Sequence, residues 1–150
     1  MSTETPAIDT REREYPKDAT QPTPTLGRTA TVWLRLAVPT ALANLLVLTA
    51  ATALGAEMTA EVGFEQSIGP AAIVAASLGT LFISTFVWSV VAHRVPAFAH
   101  LWVPIGWGVG LVSLGGILGA AGIATGVALA VMHLLTTAVA AHLIPRSLPH

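Results

Sequence analysis

Two polar side chains with chemistry to offer stand deep inside long apolar stretches, Asn44 and His133, each about halfway along its stretch. A carboxamide or an imidazole in hydrocarbon is costly unless it is hydrogen-bonded. The plainest expectation is that the two bond to each other or to Thr136 and Thr137, one turn from His133, and so hold helices together. The sharper expectation is that His133 titrates or binds a ligand in a cavity, for which it lacks a carboxylate neighbour. A third group is acidic: Glu57, Glu61 and Glu65 recur every fourth residue and would share one face of a helix, facing a cation or a basic partner. Gly63 argues against a helix there, and an extended segment leaves a solvated acidic loop. Thr23 and Thr25, set among prolines, are candidate phosphorylation sites.

The chemistry that is missing narrows the function classes. There is no cysteine, which excludes a disulfide framework, a thiolate metal site and a cysteine nucleophile. No phosphate-binding loop, no nucleophile with its base and no pair of His and carboxylate ligands on one helix face is present. The expectation is therefore no enzyme, no catalytic or metal residues, no cofactor and no nucleic-acid partner.

The elements that position these residues follow from hydropathy. Of 150 residues, 53% are hydrophobic and 10% charged, against about 25% charged in a soluble domain. Runs of about 20 apolar residues, enough to cross a bilayer, predict spans over about 31–54, 70–92, 101–120 and 123–144. The predicted fold is all-α, an integral membrane bundle of four antiparallel helices in the lipid bilayer. Residues 1–30, rich in charge and proline, predict a disordered cytoplasmic tail. Reading span one as a cleavable signal is the weaker alternative, because its apolar stretch is too long and the preceding tail extensive.

Within the spans, Arg35 sits at an edge where it can reach the headgroups, and Pro39 predicts a kink or a loosened first turn. Gly69 and Pro70 suit a helix start. Residues 93–100 make a short polar turn, and Gly115, Gly116, Gly119 and Gly122 predict a tight reversal. Arg28, Arg35, Arg94 and Arg146 all fall on one side of the predicted bundle and the alternate loops carry no Lys or Arg. That asymmetry predicts both termini in the cytoplasm, in the plasma (inner) membrane. Trp33, Trp88, Trp102 and Trp107 fall at the same ends, where indoles favour the headgroup level. Small residues at four-residue spacing, Ala71, Ala75 and Gly79, Gly106 and Gly110, Gly115 and Gly119, Gly122 and Gly126, predict close helix packing within the bundle or between subunits. A weak echo between Ala-His-Arg-Val-Pro at 92–96 and Ala-His-Leu-Ile-Pro at 141–145 hints at a repeat of two hairpins.

Ala-Asn-Leu-Leu at 43–46, Ile-Gly-Pro at 68–70 and Val-Met-His-Leu at 131–134 resemble an uncharacterised family of small four-helix membrane proteins found in actinobacteria. The resemblance spans about Thr31 to Arg146 and implies fold and membrane location without an activity. Three functions stay open: an accessory or assembly protein acting through helix packing on another membrane protein or on itself, a small-solute channel or transporter formed by oligomerisation, and a sensor using the tail or the acidic loop. A transporter needs a polar pore, one side of which Ser77, Thr80, Ser84, Thr85 and Ser89 would supply.

Overall fold

The computed structural model describes residues 25–61, 65–120 and 122–148. The expected tail lies outside the described residues up to residue 24.

The first helix, α1 (Leu26–Ala53), begins five residues earlier than the hydropathy predicts, because Thr25 is extended and its hydroxyl accepts from the Arg28 N–H. Pro39 is carried inside α1 without ending it. Proline removes the ordinary donor to the Arg35 carbonyl, and beside it the Thr40 hydroxyl donates to the Leu36 carbonyl at 2.7 Å. The C-terminus is closed by Gly55 at φ 85, with Gly55 N donating to Thr52 O and Ala56 N to Ala51 O, both 3.0 Å. That pair of bonds is a Schellman motif, and its left-handed residue needs glycine.

The acidic linker is not a helix. It forms a hairpin of β1 (Thr59–Glu61) and β2 (Glu65–Ser67), in antiparallel register with Glu61 opposite Glu65. The four-residue spacing of Glu57, Glu61 and Glu65 therefore makes no acidic helical face. The hairpin is pinned by Thr125 Oγ1, which donates to the Glu57 carbonyl at 2.8 Å, and Met58 is buried beneath it.

Helix α2 (Pro70–Arg94) starts with proline in its first turn. A four-residue helix α3 (Pro96–Ala99) leads to α4 (Trp102–Ser113), which tightens into a 3-10 segment over Leu114–Gly119. Span three was expected over about 101–120 with a tight reversal among the glycines at 115, 116, 119 and 122; the first three of these, poor helix formers, lie in the 3-10 segment, and α5 begins directly after Gly122. Helix α5 (Ile123–Ala138) widens into a π segment at Val139–Leu143 and continues as α6 (Ile144–Ser147). The span expected to stop at residue 144 thus runs through Pro145. Proline offers no N–H to the carbonyl of Ala141 in an α-helical ladder or of Ala140 in a π ladder. The Trp102 indole N–H donates to Ala140 O at 3.1 Å instead.

Three helices are long and apolar enough to cross a membrane: Leu26–Ala53, Pro70–Ala92 and Ile123–Ser147. Their outward faces carry large apolar side chains, with Leu46 72%, Ile83 63% and Ile123 89% exposed. Such a surface suits lipid better than water, in keeping with a membrane protein. Side-chain pairs fix how the helices pass each other. Thr29 meets Ser89 and Asn44 meets Ser77 across α1 and α2, while Ser113 meets His133 and Trp102 meets Ala140 across α4 and the α5–π segment.

The core has three layers. At the end that carries Arg28, Arg94 and Arg146, Leu81, Trp88, Trp102, Ile144 and Leu148 form an apolar cluster; at the other end Leu48, Met58, Ile73, Ala128 and Met132 form a second. Buried polar residues lie between them, Thr40, Asn44, Ser77, Thr136 and Thr137. Two of the four tryptophans face into the bundle. Trp88 is 2% and Trp102 8% exposed, packed edge-to-face with centroids 5.2 Å apart. Their indoles serve the bundle: Trp88 donates to Leu148 O, Trp33 to Leu78 O and Trp107 to His142 Nε2.

Candidate functional site

The middle polar layer is built on Asn44. It lies nine residues before the end of α1, about 13 Å along the axis, and is 3% exposed. Its Nδ2 donates to Ser77 Oγ on α2 at 2.9 Å and to Thr136 Oγ1 on α5 at 3.0 Å. Both hydroxyls in turn donate to their own helices, Ser77 to Ile73 O at 2.8 Å and Thr136 to Met132 O at 2.9 Å. Each hydroxyl has one proton, already given to a carbonyl, so only the amide NH2 can bond both. One side chain thereby ties three helices at one depth.

The same logic leaves Asn44 Oδ1 without a donor, and it is the buried side-chain polar atom that lacks a partner among the described residues. A buried acceptor left unpaired costs about 1–3 kcal/mol. Beside it a cleft of about 220 Å³ opens between α2, α5 and the 3-10 segment, lined by Asn44, Ser77, Thr80, Ile117, Met132 and His133, with Thr136 and Thr137 on the same wall. Ala76 and Thr80 line it as well and are exposed on α2, so the cleft opens at the side of that helix. It contains no Asp, Glu, Lys or Arg.

His133 does not bond to Asn44. Its Nε2 is 2.6 Å from Ser113 Oγ, which also lies 2.8 Å from Val109 O and 3.0 Å from Gly110 O. Either member of the pair can donate, according to the imidazole tautomer. Thr136 and Thr137 share the cleft, but Thr136 alone of the two bonds to Asn44 among the bonds described. Ser113 was not singled out by the sequence; its signal is weak, since a serine at the end of a span is ordinary.

The small residues divide. Gly110 is required: a Cβ there would collide with the Thr137 side chain, and one at Gly106 would sit 3.2 Å from Ala141 Cβ. These glycines let α4 lie close on the α5–π segment. Gly126 is in ordinary contact, 3.6 Å from Ile117. Gly115 and Gly122 have open space where a Cβ would go, and Gly119 ends the 3-10 segment. On α2, Gly79 also has nothing within 4 Å and Ala71 and Ala75 are exposed. Packing inside the chain thus uses Gly106 and Gly110 and not the Ala71, Ala75, Gly79 row. Glu57 is exposed, and no group of three or more His or carboxylate residues that could hold a metal occurs among the described residues.

Residues 24–150 match the family of unknown function DUF6069. The chain belongs to that family. The DUF6069 match takes in α1 to α6 and with them every residue of the cleft. No curated protein matches the chain, and no solved structure does.

Proposed function

We propose that this DUF6069 chain is a multi-pass protein of the plasma (inner) membrane that acts as an accessory or assembly protein, through helix contacts with another membrane protein or a second copy. The observation that carries this is the outward face of α2. Its first half is small throughout, Ala71, Ala72, Ala75 and Ala76 exposed and Gly79 open, whereas its second half carries exposed Phe82, Ile83, Phe86 and Val90. Small residues at four-residue spacing let another helix approach closely, and among the described residues nothing lies within 4 Å of a Cβ placed at Gly79.

The reading includes four crossings of alternating direction. Three are the long helices. The fourth is α4 with its 3-10 extension, 12 and 6 residues long, together about 30 Å, which equals the hydrocarbon thickness. The opposed pairings Thr29–Ser89, Asn44–Ser77 and Ser113–His133 support alternation. Arg28, Arg35, Arg94 and Arg146, all exposed and at one end of the bundle, support cytoplasmic termini. The role is not catalytic. The Ser113–His133 pair has the spacing of a nucleophile and base, but Ser113 also bonds its own helix and no charged side chain lines the cleft to orient the imidazole.

A small-solute channel is the second reading, and only Ser77 and Thr80 of the expected polar row line the cleft; Thr85 is bonded to Leu81 O and Ser89 to Thr85 O. Affinity purification from native membranes tests the first reading. The wild-type chain is expected to bring down a stoichiometric partner or a second copy, and Gly79→Leu to lose it while remaining folded. A chain that purifies alone in both forms overturns the proposal, and solute flux in liposomes then becomes the next assay.

A further inference from the structure

We infer that the outward face of α1 binds an anionic phospholipid, its phosphate held between Arg28 and Arg35 and an acyl chain lying along Leu42 and Leu46. This goes beyond the docking face on α2, because it concerns another helix and needs no protein partner.

Depth, direction and charge converge on this face. Helix α1 is 28 residues long, about 42 Å, and so outruns a hydrocarbon layer of about 30 Å. Ala53 precedes the Gly55 turn and the acidic hairpin, which marks one boundary of that layer. Arg35 lies about 27 Å back along the axis from Ala53, at the opposite boundary, and Arg28 lies about 10 Å further out, at the water side of the headgroups. The phosphate layer falls between the two, within reach of one long side chain from below and another from above. Both point the same way, since residues 28, 35 and 42 are two turns apart in succession, opposite the buried row Ala37, Ala41, Asn44 and Leu48. Arg28 and Arg35 are exposed, and Leu42 and Leu46 continue the stripe at 57% and 72% exposed. A guanidinium keeps its charge, and at the edge of hydrocarbon it calls for a counter-charge. The acidic residues among the described ones, Glu57, Glu61 and Glu65, all follow the far end of α1. Guanidinium forks match phosphate oxygens in bidentate fashion. A phosphatidylcholine phosphate carries its own ammonium, so a pair of arginines favours a lipid without one, such as phosphatidylglycerol.

The test uses the full chain in nanodiscs of equal phosphatidylglycerol and phosphatidylcholine with matched acyl chains, released into a native mass spectrometer that counts the lipids still bound. The expected result is phosphatidylglycerol retained on the wild type in preference to phosphatidylcholine. Arg28→Gln and Arg35→Gln each lower that preference about fivefold. Arg146→Gln, the loss of a like charge at the same end of the bundle but on another helix, leaves it unchanged. Glycerol phosphate in excess, which offers the anion without an acyl chain, does not displace the lipid. Should one α1 variant fail to insert, the other and Arg146→Gln still decide. Equal retention of the two lipids by the wild type, an unchanged preference in the α1 variants, or displacement by glycerol phosphate each overturns the assignment. So does an equal fall in Arg146→Gln, which is the behaviour of diffuse surface charge.

Discussion

Substituting Gly110 by alanine tests the packing that shapes the cleft. On helix propensity alone, Gly→Ala in a helix interior stabilises by up to about 1 kcal/mol. At Gly110 the new methyl would collide with the Thr137 side chain. Thr137 is buried and β-branched, so its χ1 has little freedom to give way. Helix α4 must then move off α5, and overpacking of this kind costs about 1–3 kcal/mol. The net expectation is a loss of about 1–2 kcal/mol for Gly110→Ala. Gly108 is the control two residues away: nothing lies within 4 Å of its added Cβ, so Gly108→Ala is neutral or slightly stabilising. Removing the obstacle restores the fold, so Gly110→Ala in a Thr137→Ala background recovers at least about 1 kcal/mol of coupling. Reversible unfolding in bicelles, followed by the fluorescence of the buried Trp88–Trp102 pair, measures all four variants. Equal stability of the Gly108 and Gly110 variants, or strict additivity in the cycle, would refute the reasoning.

Three further outcomes follow from the hydrogen bonds. Asn44→Ala removes two bonds between helices but also the unpaired Oδ1, so its net cost is at most about 1 kcal/mol; Asn44→Asp places a carboxylate in the same layer and costs several times more, as the same unfolding assay would show. Trp102→Phe strands the Ala140 carbonyl for about 1–3 kcal/mol, and this penalty shrinks in a Pro145→Ala background, where residue 145 regains its N–H; equal penalties in both backgrounds would contradict the account of the π segment. Gly55→Ala forces a Cβ into the left-handed region at φ 85 and costs about 1 kcal/mol, whereas Gly79→Ala leaves the stability of the isolated chain within about 0.5 kcal/mol.

Hydropathy made the long helices legible, because lipid demands some 20 apolar residues in a row and every backbone group bonded within the helix. Depth was legible in part: the spans put Asn44 and His133 at one level with Thr136 and Thr137 as alternative partners, and of these Thr136 is the one that Asn44 bonds. Direction around a helix was not. Ala71, Ala75 and Gly79 share the spacing of Gly106 and Gly110, yet α2 turns them outward and α4 turns its glycines inward, because lipid and protein interiors are both apolar and periodicity cannot tell them apart. The same ambiguity hid the tryptophans, which cap carbonyls inside the bundle as readily as they sit at headgroups. The pairing of Ser113 with His133 and that of Trp102 with the π segment each join two helices, long-range contacts that no local pattern reports. The hairpin at Glu57–Ser67 was open between helix and extended chain, and Gly63 pointed toward the outcome.

The most direct measurement of the central claim is the mass of the complex released from native membranes into nanodiscs, wild type beside Gly79→Leu, with components identified. The account predicts a defined complex for the wild type and a lone, folded chain for Gly79→Leu. A wild-type chain that runs alone at its own 15.5 kDa, indistinguishable from the variant, would contradict it.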